Sequence, residues 1–154
     1  MIQVFLFLHL LLQPQAVVSQ AAAQAKGLLQ SGMDAEKRND LDHAVVEFRK
    51  AAELDPSSAE VLLRLGDAYM KKHDAGEAIA PLNRAAELSP ESVPIQRLLG
   101  YALLAQGYAA EAIPHLEIAR DPGALGIALL ENDEPEKAIV SLQSALENDP
   151  DNPD

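Results

Sequence analysis

Gly32, Gly66 and Gly100 are evenly spaced in steps of 34, and most of the chain repeats in register with them. Ala44, Ala78 and Ala112 form one column of this register, and Ala51, Ala85 and Ala119 another. Phe48, Leu82 and Leu116 are large and apolar at a shared phase. Leu54 and Leu88 are each followed two residues later by a proline, Pro56 and Pro90. A repeat of this length is one helical hairpin, which cannot bury its apolar face alone, so copies must stack. The period alone therefore points to an all-α solenoid of stacked helix-turn-helix hairpins.

A fourth copy arrives early. Gly126, Leu129, Ala138, Leu142, Ala145 and Pro150 keep the same order, yet the step from Gly100 to Gly126 is only 26. The step from glycine to alanine is 12 from Gly32 to Ala44 and again from Gly126 to Ala138, so the hairpin itself is intact. From Ala112 to Gly126 it is 14, against 22 from Ala44 to Gly66. The deletion therefore sits at the junction around Arg120–Gly123, and is expected to shorten the end of one helix and the start of the next.

Glycine inside a helix costs about 1 kcal/mol relative to alanine, so its recurrence at one phase leads us to expect another backbone close by. Leu62, Leu65, Ala68 and Tyr69 show helical rather than alternating spacing. Turn signals separate the halves of each hairpin at Asn39-Asp40, His73-Asp74, Gly107 and Asp133-Glu134-Pro135. Ser57 with Glu60 fits a capping box opening the second repeat. Pro81 and Pro114 fall beyond the first turn of their helices and are expected to bend them outward.

This pattern resembles the tetratricopeptide repeat family over roughly Ala25 to Pro150, and the resemblance implies a right-handed α-solenoid. The Leu-Gly pair of that family stands here as Leu65-Gly66, Leu99-Gly100 and Leu125-Gly126. Its tyrosine one turn later is Tyr69, with Ala35, Leu103 and Leu129 in the other copies. Its Ala-x-x-x-Phe is Ala44 to Phe48, its closing proline is Pro56, Pro90 and Pro150, and its first large residue is Leu28 and Leu62, departing to polar Gln96 in the third copy. The expected domain is 22–152, with repeats at about 25–58, 59–92, 93–118 and 119–152 and a tail at 153–154.

Composition narrows the classes further. There is no cysteine, which excludes disulfides, thiolate metal sites, thiol catalysis and lipid attachment at an N-terminal cysteine. The net charge is −12, of which −8 lies from Asp121 onward, where nine acids face a single base, Lys137. Such acidity argues against nucleic acid, whose phosphates need clustered Lys and Arg. Ile2 to Leu12 is apolar apart from Gln3 and His9, Pro14 breaks it, and small residues follow. This has the form of a signal peptide over 1–21, cleaved after Ser19 or Ala21, although no Lys or Arg precedes the core. It is too short for a stable membrane span. The chain is thus expected to be periplasmic or secreted, or cytoplasmic if the segment is an uncleaved N-terminal helix.

No catalytic, cofactor or metal site emerges. His9, His43, His73 and His115 form no His-Glu-x-x-His pair. There is no phosphate-binding glycine loop and no Gly-x-Ser-x-Gly elbow. Asp149, Asp151 and Asp154 lack the glycine and closing glutamate of a calcium loop. The expectation is a non-enzyme that needs no cofactor.

The resemblance implies that the first helix of each hairpin lines a concave groove in which a peptide or helix of a partner protein lies. The groove-facing phase carries Lys26, Leu29, Met33 and Lys37 in repeat one, Leu63, Asp67, Met70 and Lys71 in repeat two, and Arg97, Tyr101 and Leu104 in repeat three. Family members that hold chaperone C-terminal carboxylates use Lys and Asn along the first two repeats. Leu29 and Met33 at the matching phase exclude that role here. The expected partner segment therefore has apolar anchors. Three alternatives stay open. The acidic C-terminal part is a solvated face or attracts a basic partner. The last repeat self-associates through Ile139, Leu142 and Leu146. Or Asp151–Asp154 leads into a fifth repeat, making the chain a regulatory or substrate-docking segment of a larger enzyme.

Overall fold

The computed structural model describes the backbone of residues 2–148 and the side chains of residues 20–147. Its helices are α1 (Ile2–Lys37), α2 (Leu41–Leu54), α3 (Ala59–Lys71), α4 (Ala75–Leu88), α5 (Val93–Ala105), α6 (Ala109–Ala119), α7 (Pro122–Glu131) and α8 (Pro135–Asn148). They pair as hairpins, α1 with α2, α3 with α4, α5 with α6 and α7 with α8. Each second helix then packs on the first helix of the next hairpin. α3 also touches α5, and α5 touches α7, while the second helices approach one another less closely. The first helices therefore lie on the inside of the curve. The backbone of α1 runs through the expected cleavage region at Ser19–Ala21. The side chains of the apolar stretch before it, and the aspartates from Asp149 on, lie outside the described residues.

Local sequence explains the hairpin turns. Asn39, His73, Gly107 and Asp133 all take positive φ, between 59° and 77°. After His73, the Asp74 amide donates to the Tyr69 carbonyl and the His73 amide to that of Met70. The same pair of bonds recurs at Asp40, Tyr108 and Glu134 with their predecessors. This geometry satisfies carbonyls that a helix end leaves open and sends the chain back on itself.

The column glycines correct one expectation. A methyl group at Gly32, Gly66, Gly100 or Gly126 would fall within 2.6 Å of a side-chain atom of Phe48, Leu82, Leu116 or Leu142, respectively. The close neighbour is thus a large side chain of the hairpin's second helix and not another backbone. The step from glycine to large side chain is the same in all four hairpins, from Gly32 to Phe48 as from Gly126 to Leu142. Phe48, Leu82, Leu116 and Leu99 are the largest fully buried side chains and lie in one continuous core that runs from α1 to α7.

A second correction concerns the start of α3. Its cap is Ser58, whose side chain accepts from the Val61 amide at 3.3 Å. Ser57 instead donates its hydroxyl to Asp55 at 2.8 Å. Glu60 is the wrong distance from Ser58 to close a capping box, because the box needs its acid three residues after the cap.

The short junction accounts for all eight missing residues. α6 has 11 residues where α4 has 14, and α7 has 10 where α3 has 13. The connection shrinks from the four residues Ser89–Ser92 to Arg120 and Asp121. It is built like a turn within a hairpin. Arg120 takes φ 52°, its amide donates to Glu117, and the Asp121 amide donates to Leu116. Asp55 and Ser89, at the two longer junctions, instead take negative φ, −134° and −144°.

Candidate binding groove

Because the first helices face inward, positions one and four residues after each column glycine line a single stripe. These are Met33 and Glu36, Asp67 and Met70, Tyr101 and Leu104, and Ile127 and Leu130. Met33, Met70 and Leu104 are half-buried against the core, as are Leu29 and Leu63 three residues before their glycines. Tyr101 is 37% exposed, Ile127 50% and Leu130 51%. The stripe is therefore mostly apolar and grows more open toward its C-terminal end.

Its charges are largely spent on one another. Lys37 pairs with Asp34 at 2.9 Å. Lys71 reaches back to Glu36 on α1 at 2.9 Å and pairs with Asp67 at 2.6 Å, tying the first hairpin to the second. Burial works against the Lys71 charge, but the hydrogen bonds to Asp67 and Glu36 prevail and hold its pKa above the ordinary value. Lys26 is exposed on α1.

At the short junction the groove acquires a carboxylate. Asp121 accepts from the Ala124 amide at 3.1 Å, capping α7. Its other oxygen accepts from the Tyr101 hydroxyl at 2.6 Å and lies 3.3 Å from Arg97 Nε. Arg97 also donates to the Ala119 carbonyl at 3.5 Å. Burial pushes the Tyr101 phenol up to about 12, and the bond to Asp121 adds to the shift. The ring is thus neutral at physiological pH, with its hydroxyl already engaged, and offers its apolar face to the groove.

A cavity of about 310 Å³ opens beside it, between α3 and α5, lined by Leu63, Arg64, Asp67, Pro94, Arg97, Leu98 and Tyr101. A larger hollow of about 570 Å³ lies among Gln24, Gly27, Leu28, Lys50, Glu53 and Leu54 on the first hairpin. It contains no residue of the stripe, so size does not make it the better site.

All eleven residues expected in the groove lie on the inner helices α1, α3 and α5. Ile127, Leu130, Glu36 and Asp121 join them from outside that expectation. Counting from Gly126 rather than in steps of 34 finds the first two, whereas Asp121 enters only because the junction is short.

The departure at Gln96 is resolved by pairing. Gln96 is buried, donates its amide to the Pro90 carbonyl at 2.6 Å, and sits 2.6 Å from His115 Nδ1 through its carbonyl oxygen. With the Gln96 amide already donating, His115 Nδ1 carries the proton. Burial lowers the His115 pKa. Among the described residues no cluster of three or more His, Asp or Glu is placed to hold a metal ion. None of the described helices is long and apolar enough to cross a membrane.

A TPR repeat model matches residues 37–73, and a second model, described as the tetratricopeptide repeat, matches 59–92. No curated protein sequence matches. Among solved structures the chain is similar to MamA from Desulfovibrio magneticus RS-1, at 23% identity and TM-score 0.78 over 84% of this chain and 77% of that one. It is similar to YrrB, described as a TPR protein with an unusual peptide-binding site, at 22% identity and TM-score 0.76 over 92% and 82%. Pseudomonas aeruginosa PilF matches at 22% identity and TM-score 0.70, over 87% of this chain and 65% of its own. The TM-scores establish a shared fold. Column glycines, hairpin turns and repeat models agree: residues 37–92 match tetratricopeptide repeats, and the chain shares the α-solenoid fold of these solved structures.

Proposed function

We propose that this chain is a non-catalytic protein-interaction scaffold that holds an extended or helical segment of a partner protein along its inner stripe. The observation that carries this reading is the open apolar run Met70, Tyr101, Leu104, Ile127 and Leu130, beside cations already neutralised within the groove. With Lys37, Lys71 and Arg97 already paired, the groove gains little from a carboxylate or a nucleic acid. An apolar segment displaces water from the stripe without breaking those pairs. Met33 and Met70 can repack around side chains of different shape, and Tyr101 is the natural anchor. The peptide-binding site named for YrrB supports the same use of this fold.

The test is affinity capture from the native host with the full chain beside Tyr101→Asp and Leu63→Asp. A protein retained by the unmodified chain and lost with both variants is expected. Equal recovery by all three removes the groove as the working site.

We also infer export, from the apolar segment Ile2–Leu12 followed by small residues. A reporter fused after Ala22 should appear processed outside the cytoplasm; a full-length cytoplasmic fusion refutes this.

A further inference from the structure

The cavity between α3 and α5 is lined by three planar side chains, Arg64, Arg97 and Tyr101. Both helices lie in the middle of the solenoid, with α1–α2 packed before them and α7–α8 after. Guanidinium and phenol groups form their hydrogen bonds at the edge, so an edge partner still leaves the flat face free for packing. Arg97 is engaged at its edge, by Asp121 at 3.3 Å and by the Ala119 carbonyl at 3.5 Å. Tyr101 is engaged at its hydroxyl. Arg64 is half-buried and forms no salt bridge or side-chain hydrogen bond among the described residues, not even with Glu60 one turn before it on α3.

The rest of the lining is apolar or spent. Leu63 and Leu98 pack against the core, and Pro94 adds a third apolar wall. Asp67 is held by Lys71 at 2.6 Å. A dry cavity of about 150 Å³ is enough to take up benzene, so about 310 Å³ has room for a larger ring. A carboxylate entering here would meet Asp67 in the same cavity and approach a chain of net charge −12, which repels it. An aliphatic side chain would fill the space and leave the Arg64 charge unused. An aromatic ring carries no net charge, buries apolar area, and presents to a guanidinium the negative face that cations favour.

Taking the inner stripe as the binding surface, we propose that this cavity seats an aromatic side chain of the partner segment, held between the apolar walls and the faces of Arg64, Arg97 and Tyr101.

The probes are N-acetyl-phenylalaninamide, its cyclohexyl analogue, which has the same outline and no π electrons, and the amide of N-acetyl-glutamate. Each is titrated into the full chain and followed by backbone amide chemical shifts. The phenyl probe should bind about threefold or more tightly than the cyclohexyl one, whereas burial of apolar surface alone favours the saturated ring or leaves the two equal. The shifts should centre on Leu63, Leu98 and Tyr101. Arg64→Gln should bring the two rings to equal affinity. Its side chain holds no partner, so an unaltered circular dichroism spectrum is expected and separates lost preference from lost folding. Equal affinity in the native chain, a preference that survives Arg64→Gln, or tighter binding of the glutamate probe overturns the proposal. So do shifts centred on Gly27 and Leu28 in the larger hollow, or no shifts at all. Each of these outcomes leaves the groove reading standing, because partner capture with and without Tyr101→Asp decides that separately.

Discussion

Hairpins α3–α4 and α7–α8 share the same internal spacing and differ in what lies against them. Both set a glycine on the first helix against a leucine on the second, which fills the space left by the missing Cβ. Both fold back through a left-handed residue, His73 in one and Asp133 in the other. Yet Leu82 is fully buried, while Leu142 is half-buried. α3 opens with a serine cap after a four-residue link, and α7 opens three residues late, on Asp121. The internal fit of a hairpin is thus a local property, carried by fixed spacing. The burial of its outer columns depends on a neighbour, as expected of a chain whose repeats contact only those adjacent.

The largest contrast is expected from truncating the two leucines. Leu82→Ala should cost about 2–5 kcal/mol, because it opens a cavity that surrounding side chains cannot close. Leu142→Ala removes a side chain already partly in water and should cost about half as much. Urea unfolding of both variants measures the difference, and equal losses would show that the last hairpin is covered in solution.

The glycines sharpen the same comparison. Alanine gains about 1 kcal/mol of helix propensity over glycine, against about 1–3 kcal/mol for forcing a methyl group into packed space. Leu82 has no room to withdraw, so Gly66→Ala should be destabilising. Leu142 can swing toward solvent, so Gly126→Ala should be neutral or stabilising. Two variants of equal stability would break the argument that neighbours set the fit.

The junctions differ in what their caps hold. Ser58→Ala should cost about 1 kcal/mol, the ordinary loss of a cap. Asp121→Ala should cost about twice that, since it also strips Tyr101 and Arg97 of their partner. Hydrogen exchange at the start of α7 and in α5 reads the two effects apart, and α5 should respond only to the Asp121 change.

The smallest effect is one of pH. The folded pKa of His115 lies below the ordinary 6.5, so the unfolded chain takes up the proton first. The neutral folded form is fully favoured above pH 6.5. That advantage erodes as pH falls below this value and is gone once pH has dropped through the folded pKa. Between about pH 7 and 5, thermal stability should therefore fall in the native chain and less in His115→Asn. The paired carboxylates of Asp34, Glu47 and Glu134 have lowered pKa values, so their contribution is fully present above the ordinary carboxylate range and is lost as pH falls through that range toward their folded pKa values.

Much of this architecture was legible in the residues. The period, the columns, the turn positions and the site of the deletion all follow from spacing, because a helical hairpin repeats its contacts at fixed intervals. The eleven positions expected in the groove share the phase of the column glycines and lie on the first helices of their hairpins. Ile127 and Leu130 fall outside a strict count of 34 because of the deletion, and Gly126 resets the phase that reveals them. Ser58, one residue from the expected cap, shows the limit of local signals, since neighbouring serines differ only in which backbone angle each adopts.

By itself, then, the sequence determined the repeating hairpin, because it rests on contacts between residues at fixed separations, and an acidic C-terminal end, which is a matter of composition. Only the tertiary structure decided that the glycines meet side chains, that Gln96 finds His115, and that Asp121 joins Arg97 and Tyr101. Those outcomes depend on how one hairpin sits against the next, and no residue's identity specifies what a neighbouring hairpin brings to it.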